Sequence, residues 1–446
     1  MSSVVEQGKA AGRVEHYLAR FDEERARRAT EPAWLVARRA EAIARFAALG
    51  FPTTKDEEYR FTNVAPIAGT PFVPATPGLQ PPAGALAEHL YDTGTAAQVV
   101  FVNGRYVPEL SSSATTKGLQ VGTLTEALAA GADDLEAVLG RIAAFDEFPF
   151  TALNTAFFED AVVVRVAPHA VIEAPINVVF VSVGGDRPAI SFPRLLVVAG
   201  EHSQSTVIES HLGFGDLADF SCAVTEFECG PSAILDHYRV QLERPHDYHY
   251  CRQQVRAGRA ATFISHAFSL GGAIVRNDVG GELAGEGIDC TLNGLYLADG
   301  DTLVDNHTAI DHAQPHCASH EVYKGILGGR ARGVFNGKIV VRQDAQKTDA
   351  KQTNKALLLS DTAQMNTKPQ LEIFADDVKC THGATVGQLD ADALFYLRAR
   401  GVSRADARAL LIRGFAGDIV NRVRFAPLRE RLDGWLLAQI PRDDVK

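Results

Sequence analysis

Seven strand-like apolar runs follow one another at a nearly constant interval in the second half of the chain. They are 14 to 16 residues apart and open near Ala273, Ile288, Thr302, Cys317, Arg332, Thr348 and Ala363. A β-sandwich places hairpin turns about every 8–12 residues, and Asn-Gly turn signals are scarce here. Longer regular steps without crossover helices are typical of a stacked β-solenoid. The interval therefore favours a mainly β solenoid, and the sandwich stays open as the alternative.

Helical patterns precede this β region. Up to about residue 60, apolar residues recur at three- and four-residue steps, and Gly50 closes the second helical stretch. Five prolines between Pro71 and Pro82 then predict a linker or extended arm without regular structure. Period-two apolar runs begin near Val99, and one short helix is predicted over Leu124–Leu139.

The chain returns to helix after the last apolar run. Asp390, a capping-box-like pair Ser403 and Asp406, and Pro427 mark three helix starts. We expect these helices to cover the open end of the solenoid, because a terminal rung exposes unpaired backbone. The patterns together predict a helical N-terminal domain with a Pro-rich linker, a β core and a helical C-terminal domain, at residues 1–95, 96–385 and 386–446.

Composition narrows the function classes. Hydrophobic residues make up 46% of the 446 residues and charged residues 22%, which are globular values. The net charge of −11 argues against nucleic-acid binding and against a polybasic membrane surface. No apolar run approaches the roughly 18 residues of a membrane helix, and the first residues are charged without a signal-peptide core. A cytoplasmic location is the expectation.

The six cysteines are sparse, and no two are spaced C-x-x-C. This spacing argues against a disulfide framework and against a closed structural zinc site. Nucleotide-binding loops, the G-x-S-x-G elbow and H-E-x-x-H are also missing from the sequence. Any ATP would therefore be bound by another chain.

One cluster of potential metal ligands lies within fourteen residues, and its members are His307, His312, His316, Cys317 and His320. On an extended strand His312 would share a face with His316, and His316 with His320. Imidazole and thiolate suit a borderline-soft metal such as iron or zinc. The alternative is a set of solvent-facing or turn histidines, and the sequence alone leaves both open.

A second cluster is Cys380 with His382 in ADDVKCTHGATVG. Two residues apart, both side chains would face the same way on a strand. The alternative is a buried cysteine beside a polar histidine at a strand end.

Long stretches from Tyr323 onward resemble the SufB/SufD family of the Suf iron–sulfur cluster assembly machinery. They are YKGILGGRARGVFNGKIVV, AQKTDAKQTNKALLLS and KPQLEIFADDVKCTHGATVGQLDADALFYLRARG. The N-terminal GFPTTKDEEYRFTNV is similar to the SufD branch, so the resemblance spans nearly the whole chain.

The resemblance implies a right-handed parallel β-helix core between helical domains, in a non-catalytic component. It implies pairing with a SufB-like chain through the cores and docking of a SufC-like ATPase on the C-terminal helices. A cysteine desulfurase would supply sulfur indirectly, and this chain would support iron entry and share a transient cluster or iron with SufB. Without its partner, the chain is open to forming a homodimer.

The motif C-x-H-G-A-T places the functional SufD histidine of the family at His382, with Cys380 as its neighbour. SufB-like chains carry a cysteine and an acidic residue where Asn354 and Gly383 stand here, which argues against sulfur acceptance by this chain. Crowded apolar residues of the C-terminal helices are the candidate ATPase dock, namely Leu394, Phe395, Tyr396, Leu397, Leu410, Leu411 and Phe415.

Two other function classes remain open. A carbohydrate-active enzyme on a β-helix needs paired carboxylates, which Asp301, Asp305 and Asp311 could supply. Such enzymes are usually exported, and this sequence has no export signal. The other class is a scaffold without any ligand of its own.

Overall fold

The computed structural model describes residues 2–91, 93–113, 116–132 and 134–439. The strands, β1 to β22 in chain order, are Val73–Pro74, Ala97–Val102, Arg105–Tyr106, Ser112–Ser113, Leu119–Thr123, Val162–Val166, Ile176–Val183, Ala189–Ser191, Arg194–Ala199, Gln204–Phe214, Phe220–Cys229, Ile234–Leu242, Tyr248–Ala257, Thr262–Ser269, Ile274–Leu283, Asp289–Ala298, Leu303–His312, Ala318–Leu327, Arg332–Val341, Asp349–Leu358, Gln364–Ile373 and Lys379–Gln388.

The α-helices, α1 to α9, are Ser2–Glu24, Ala33–Leu49, Ala65–Gly69, Leu124–Ala129, Leu135–Val138, Pro149–Phe157, Ala391–Ala399, Arg404–Val420 and Ala426–Gln439. Short 3₁₀ helices span Arg27–Thr30, Glu57–Tyr59 and Pro108–Leu110.

The long strands alternate between two sheets and wind into a parallel solenoid. One sheet, called sheet A here, has the order β21-β19-β17-β15-β13-β11-β9-β6-β5, and the other, sheet B, has β22-β20-β18-β16-β14-β12-β10-β7-β2-β3. Each turn contributes one strand to each sheet, so β6, β7 and β9 to β22 make about eight turns. The predicted mainly β solenoid is confirmed, and β15 to β21 each begin within one residue of the predicted openings.

Helices cover the outer faces of both sheets. The N-terminal helices pack on sheet A, where Phe46 and Phe150 share a core with Phe220 and Tyr250. Helices α8 and α9 pack on sheet B in a second core, which joins residues such as Ile419 to strand residues of β10 to β20. The inside of the solenoid forms a third core between the two sheets.

The expected cover of the open end is wrong. Strands β21 and β22 contain no buried residue, because α8 and α9 lie along the outer face of sheet B instead. The reason is an apolar stripe on that face, which includes Tyr238, Phe268 and Leu295 and needs a cover of its own. Lys324 fixes the arrangement, since its Nζ donates to the Phe415 carbonyl at 3.0 Å.

Three smaller expectations also need correction. The segment Leu124–Leu139 contains two short helices, α4 and α5, separated at Gly131, whose φ of 79° is incompatible with a continuous helix. The Pro-rich arm includes β1, which pairs with β8. Helix α6 was not anticipated, because every one of its residues is buried and it has no polar face to give a periodic signal.

The three predicted C-terminal helices are confirmed, with Asp390 and Ser403 as N-caps.

Candidate functional site

The last rung of the solenoid leaves one side of each sheet without a neighbour. Within the described residues, β22 pairs only with β20 and β21 only with β19. An open edge presents unpaired backbone N–H and C=O groups, which other chains can extend. Apolar side chains accompany this edge, since Ile373 is 39%, Phe374 64% and Val386 45% exposed. The rung therefore has the properties of an interaction surface.

Cys380 and His382 lie on this rung and continue the inward-facing positions of sheet B. Cys380 is in register with Ala350 of the rung below, and His382 with Gln352. Cys380 packs against a small apolar cluster that includes Ala350, and His382 shares its face because alternate residues of a strand do. The two residues are about 6.6 Å apart along the strand. The structure thus brings together the pair that the sequence singled out.

The thiol of Cys380 is more accessible to solvent than the thiols of the other five cysteines. Cys380 is half-buried, whereas the other five cysteines are buried. Partial burial raises the pKa of the Cys380 thiol, which favours the protonated form. The thiolate that a metal requires would therefore form when the metal displaces the proton.

His382 is exposed and takes part in no hydrogen bond or ion pair with any other described residue. Its imidazole is thus available as a borderline metal ligand. Beneath it, Gln352 donates to Glu321 Oε1 over 3.4 Å, so an inward column of polar residues leads to the histidine. Burial raises the pKa of Glu321 to about 7. Sequence reasoning missed Glu321 and Gln352, because only the register between rungs aligns them with His382.

Asn354 and Gly383, the two positions that differ from the SufB-like pattern, lie on the last two strands of sheet B, near the open rung. Asn354 is buried and its Nδ2 donates to Thr367 Oγ1 at 3.2 Å. A Cβ on Gly383 would meet nothing within 4 Å. Neither position offers a charged or thiol group to the open rung.

The cluster around His307 is dispersed by the fold. His312 is buried and its Nε2 contacts Ser319 Oγ at 2.9 Å, whereas His316 lies in a turn with a φ of 60°. His312, His316 and His320 therefore do not share the face that one extended strand would give them, because the turn between β17 and β18 interrupts the strand. Cys317 is buried, and its Sγ contacts the Gly285 carbonyl.

His307 contacts carboxylates through both of its ring nitrogens. Its two ring nitrogens lie 3.1 Å from carboxylate oxygens of Glu58 and Asp305. Glu58 belongs to the N-terminal segment GFPTTKDEEYRFTNV, whose Thr62 also contacts Asp305. Arg276 joins the network 2.6 Å from Asp305 Oδ2. This segment is thereby fastened to the outer face of sheet A.

The three aspartates considered for carbohydrate chemistry do not form a pair. Asp301 contacts Arg330, and Asp311 contacts Arg342, both through exposed ion pairs. Asp305 is fully buried in the network described above. Asp305 and Asp311 are about 20 Å apart along β17, beyond the roughly 5–9.5 Å that glycosidase carboxylates require.

Helix α7 presents an exposed apolar surface. None of its residues is buried, and it packs only against α8 among the stronger contacts between described elements. Phe395 is 75%, Tyr396 57% and Leu410 of α8 50% exposed, whereas Leu394, Leu397 and Leu411 are half-buried. Phe415 is half-buried under Lys324, whose Nζ lies 4.8 Å from its ring centre. The outer surface of this pair of helices is thus formed by Phe395, Tyr396 and Leu410.

None of the helices within the described residues is long and apolar enough to span a membrane.

Comparison with known families matches most of the chain. Residues 180–415 match the family described as SUF system FeS cluster assembly, SufBD core domain, and residues 12–178 match the SufBD protein N-terminal region. The chain belongs to the SufBD family of iron–sulfur cluster assembly proteins.

Individual relatives narrow the comparison to the SufD type. The chain is 31% identical to the iron–sulfur cluster assembly protein SufD of Escherichia coli, over 86% of this chain and 88% of that protein. SufD of Bacillus subtilis is 26% identical over 94% of this chain and 96% of its own length. A SufBD family protein of Synechocystis is 34% identical over 90% of both chains.

Proposed function

We propose that this chain acts as a SufD-like, non-catalytic component of a Suf complex. It pairs with a SufB-like chain through the open rung of the solenoid and docks a SufC-like ATPase on α7 and α8. His382, with Cys380 beside it, contributes a ligand to iron or to a nascent cluster that is shared with the SufB-like chain. The observation that carries the proposal is that an exposed histidine lies on a β edge, and that neither has a partner among the residues that the structure describes.

Pairing at the open rung is supported by its chemistry. A second solenoid could extend β21 and β22 through backbone hydrogen bonds, with exposed Phe374 and Val386 covered in the process. A ligand at an interface suits a transient cluster, since neither chain alone completes the coordination and release follows from separation. A second copy of this chain is the competing occupant of the same edge.

Docking of the ATPase is supported by the exposed surface of α7. Phe395 and Tyr396 are large aromatic residues, of the kind enriched in interface hot spots. Lys324 and the core of α8 connect that surface to sheet B, so a movement of the ATPase would be transmitted to the solenoid.

The decisive experiment uses the reconstituted complex of this chain with SufB-like and SufC-like partners. We expect His382→Ala to leave the complex assembled but to lower cluster formation, followed by absorption and Mössbauer spectra under anaerobic conditions. His316→Ala is the matched control, because that histidine is also exposed on the solenoid and lies away from the open rung. An unchanged cluster yield in His382→Ala would refute the ligand role.

Two surface variants separate the partner sites. Val386→Lys should abolish binding of the SufB-like chain and retain the ATPase, whereas Phe395→Ser should do the reverse. Leu437→Ser is the control for the second variant, since Leu437 is a 39% exposed apolar residue on α9. If Val386→Lys instead disrupts only a homodimer in size-exclusion chromatography, the open rung is a self-association surface.

A further inference from the structure

A cluster of histidine and glutamate side chains is buried inside the solenoid, far from the open rung. Three residues, His211, Glu243 and His249, each place one possible ligand atom within 4.8 Å of the ligand atoms of the other two. All three residues are buried. No other group of this kind occurs in the part of the chain that the structure describes. In sheet B, β12 lies five strands away from β22, which corresponds to about 24 Å.

Each histidine of the cluster has one nitrogen fixed by a carboxylate and one without a partner. His211 Nε2 lies 2.8 Å from Glu209 Oε1, and His249 Nδ1 lies 3.0 Å from Glu243 Oε1. An ionised carboxylate only accepts hydrogen bonds, so these nitrogens carry the proton. The remaining nitrogens, Nδ1 of His211 and Nε2 of His249, are buried lone pairs without a hydrogen-bond partner among the described residues.

The arrangement of His211 is the one that metal-binding histidines adopt in proteins. A ligating imidazole nearly always donates its other N–H to a carboxylate or carbonyl, which orients the ring and raises its basicity. Glu209 is itself held by Thr225 Oγ1 at 2.8 Å and His237 Nε2 at 3.0 Å. The outer partner of His211 is therefore already in place, whereas Glu243 belongs to the ligand set itself.

Further contacts restrict the movement of the ligands. Gln241 Nε2 donates to Glu243 Oε2 at 2.7 Å, and the ring of Phe180 stacks on His211 with 5.3 Å between centroids. The rings of His211 and His249 meet edge to face at 4.9 Å. A tetrahedral metal with bonds of about 2.0–2.1 Å needs ligand atoms about 3.3 Å apart. His249 Nδ1 and Glu243 Oε1 are already 3.0 Å apart, and the three ligand atoms lie within 4.8 Å of one another, so a small rotation of His211 would close the site.

The cluster lies close to the protein surface. Glu243 and His249 flank the surface turn at residues 244–247, in which Pro245 and His246 are exposed. The ligands thus lie one layer of side chains below the surface.

We propose that His211, Glu243 and His249 bind one divalent transition-metal ion inside the solenoid. Two imidazoles and one carboxylate are a ligand set that proteins use for zinc and for non-haem iron(II). The ion takes the place of the proton between His249 Nδ1 and Glu243 Oε1, and that proton moves to the free Nε2 of His249. The ion also accepts the free Nδ1 lone pair of His211, and its charge offsets the buried Glu243 carboxylate. The site depends on neither Cys380 nor His382, so it is independent of the function proposed above.

The test uses the full chain with the substitutions Cys380→Ala and His382→Ala, which remove the open-rung ligands. After metal removal with a chelator, Co²⁺ is the probe, because its visible absorption reports the number and type of ligands. We expect one Co²⁺ per chain, with ligand-field bands that disappear in His249→Gln and in Glu243→Gln. His246→Gln, in the same surface turn, is the matched control and should bind Co²⁺ like the parent.

Two outcomes would overturn the proposal. One is the absence of a tightly bound Co²⁺ in the parent, and the other is unchanged bands in a folded His249→Gln protein. Anomalous scattering from Co²⁺-grown crystals of the unsubstituted chain needs no variant and should give a peak between the rings of His211 and His249. A peak only at the stacked surface pair His169 and His202 would count against the buried site.

Discussion

The buried carboxyl group of Glu321 should make stability depend on pH. Burial raises the pKa of Glu321 from 4.5 to about 7, although Thr308 and Gln352 hydrogen-bond the carboxylate and oppose the rise. The folded protein therefore keeps the proton up to about pH 7, whereas the unfolded chain loses it near pH 4.5. The stabilisation that comes from this proton is fully present below about pH 4.5 and is lost as the pH rises to about 7. At about 1.4 kcal/mol per pH unit, the loss is about 3 kcal/mol.

The substitution Glu321→Gln should remove this dependence. The amide oxygen accepts from Thr308 as the carboxyl does at 2.6 Å, and its N–H₂ can donate to Gln352 Oε1, which has no partner among the described residues. We expect urea unfolding to give equal free energies for parent and variant near pH 4.5. Near pH 8 the variant should be about 3 kcal/mol more stable.

The difference in unfolding free energy between parent and variant reports on Glu321 alone, because all other titrating groups are common to both proteins and cancel. Infrared spectra give a second measurement, since the carbonyl band of a protonated carboxylic acid near pH 6 should vanish in Glu321→Gln. A difference in unfolding free energy that stays constant from about pH 5 to about pH 8 would refute the reasoning.

Two further substitutions test the packing. Glu226→Ala leaves the fully buried Arg194 without its carboxylate partner and should cost about 3–5 kcal/mol of unfolding free energy; a loss below about 1 kcal/mol in urea unfolding would contradict this. Gly294→Ala would place a Cβ 2.2 Å from the ring of Tyr323 on the next rung and should cost about 1–3 kcal/mol. Gly383→Ala, where a Cβ meets nothing within 4 Å, should leave the melting temperature of the isolated chain unchanged.

The repeat of the strands was readable from the sequence, whereas the position of the helices was not. The interval between apolar runs reports the length of one strand and its turn, so strand starts such as Ile274 and Leu303 were predicted within one residue. Helix caps at Asp390 and Ser403 are local signals and were equally readable. Which surface a helix covers depends on contacts distant in sequence. The C-terminal helices were therefore expected on the end of the solenoid, although they lie on its outer face.

The pair Cys380 and His382 was found from its spacing and from the family resemblance, but its surroundings were not. Glu321 and Gln352 are 61 and 30 residues before His382 in the sequence, and only the parallel register aligns them. In the same way, the dispersal of the histidines after His307 depends on one turn at His316.

The inside of the solenoid explains why its polar residues escaped notice. In β10 the alternating positions Glu209 and His211 point into the solenoid, whereas Ile208 lies on the outer face beneath the C-terminal helices. The usual rule, apolar inward and polar outward, assigns this strand the wrong way round, because helices bury the outer face as well. Polar inward positions are then enclosed between the two sheets and need partners there, such as one another or an ion. On β22, Cys380 and His382 also occupy inward-facing positions, and they are accessible because no further rung within the described residues covers them. A partner that extends the open rung would therefore enclose these two residues as the inner rungs enclose His211. If the pair binds iron as proposed above, the access of iron should depend on when that partner binds.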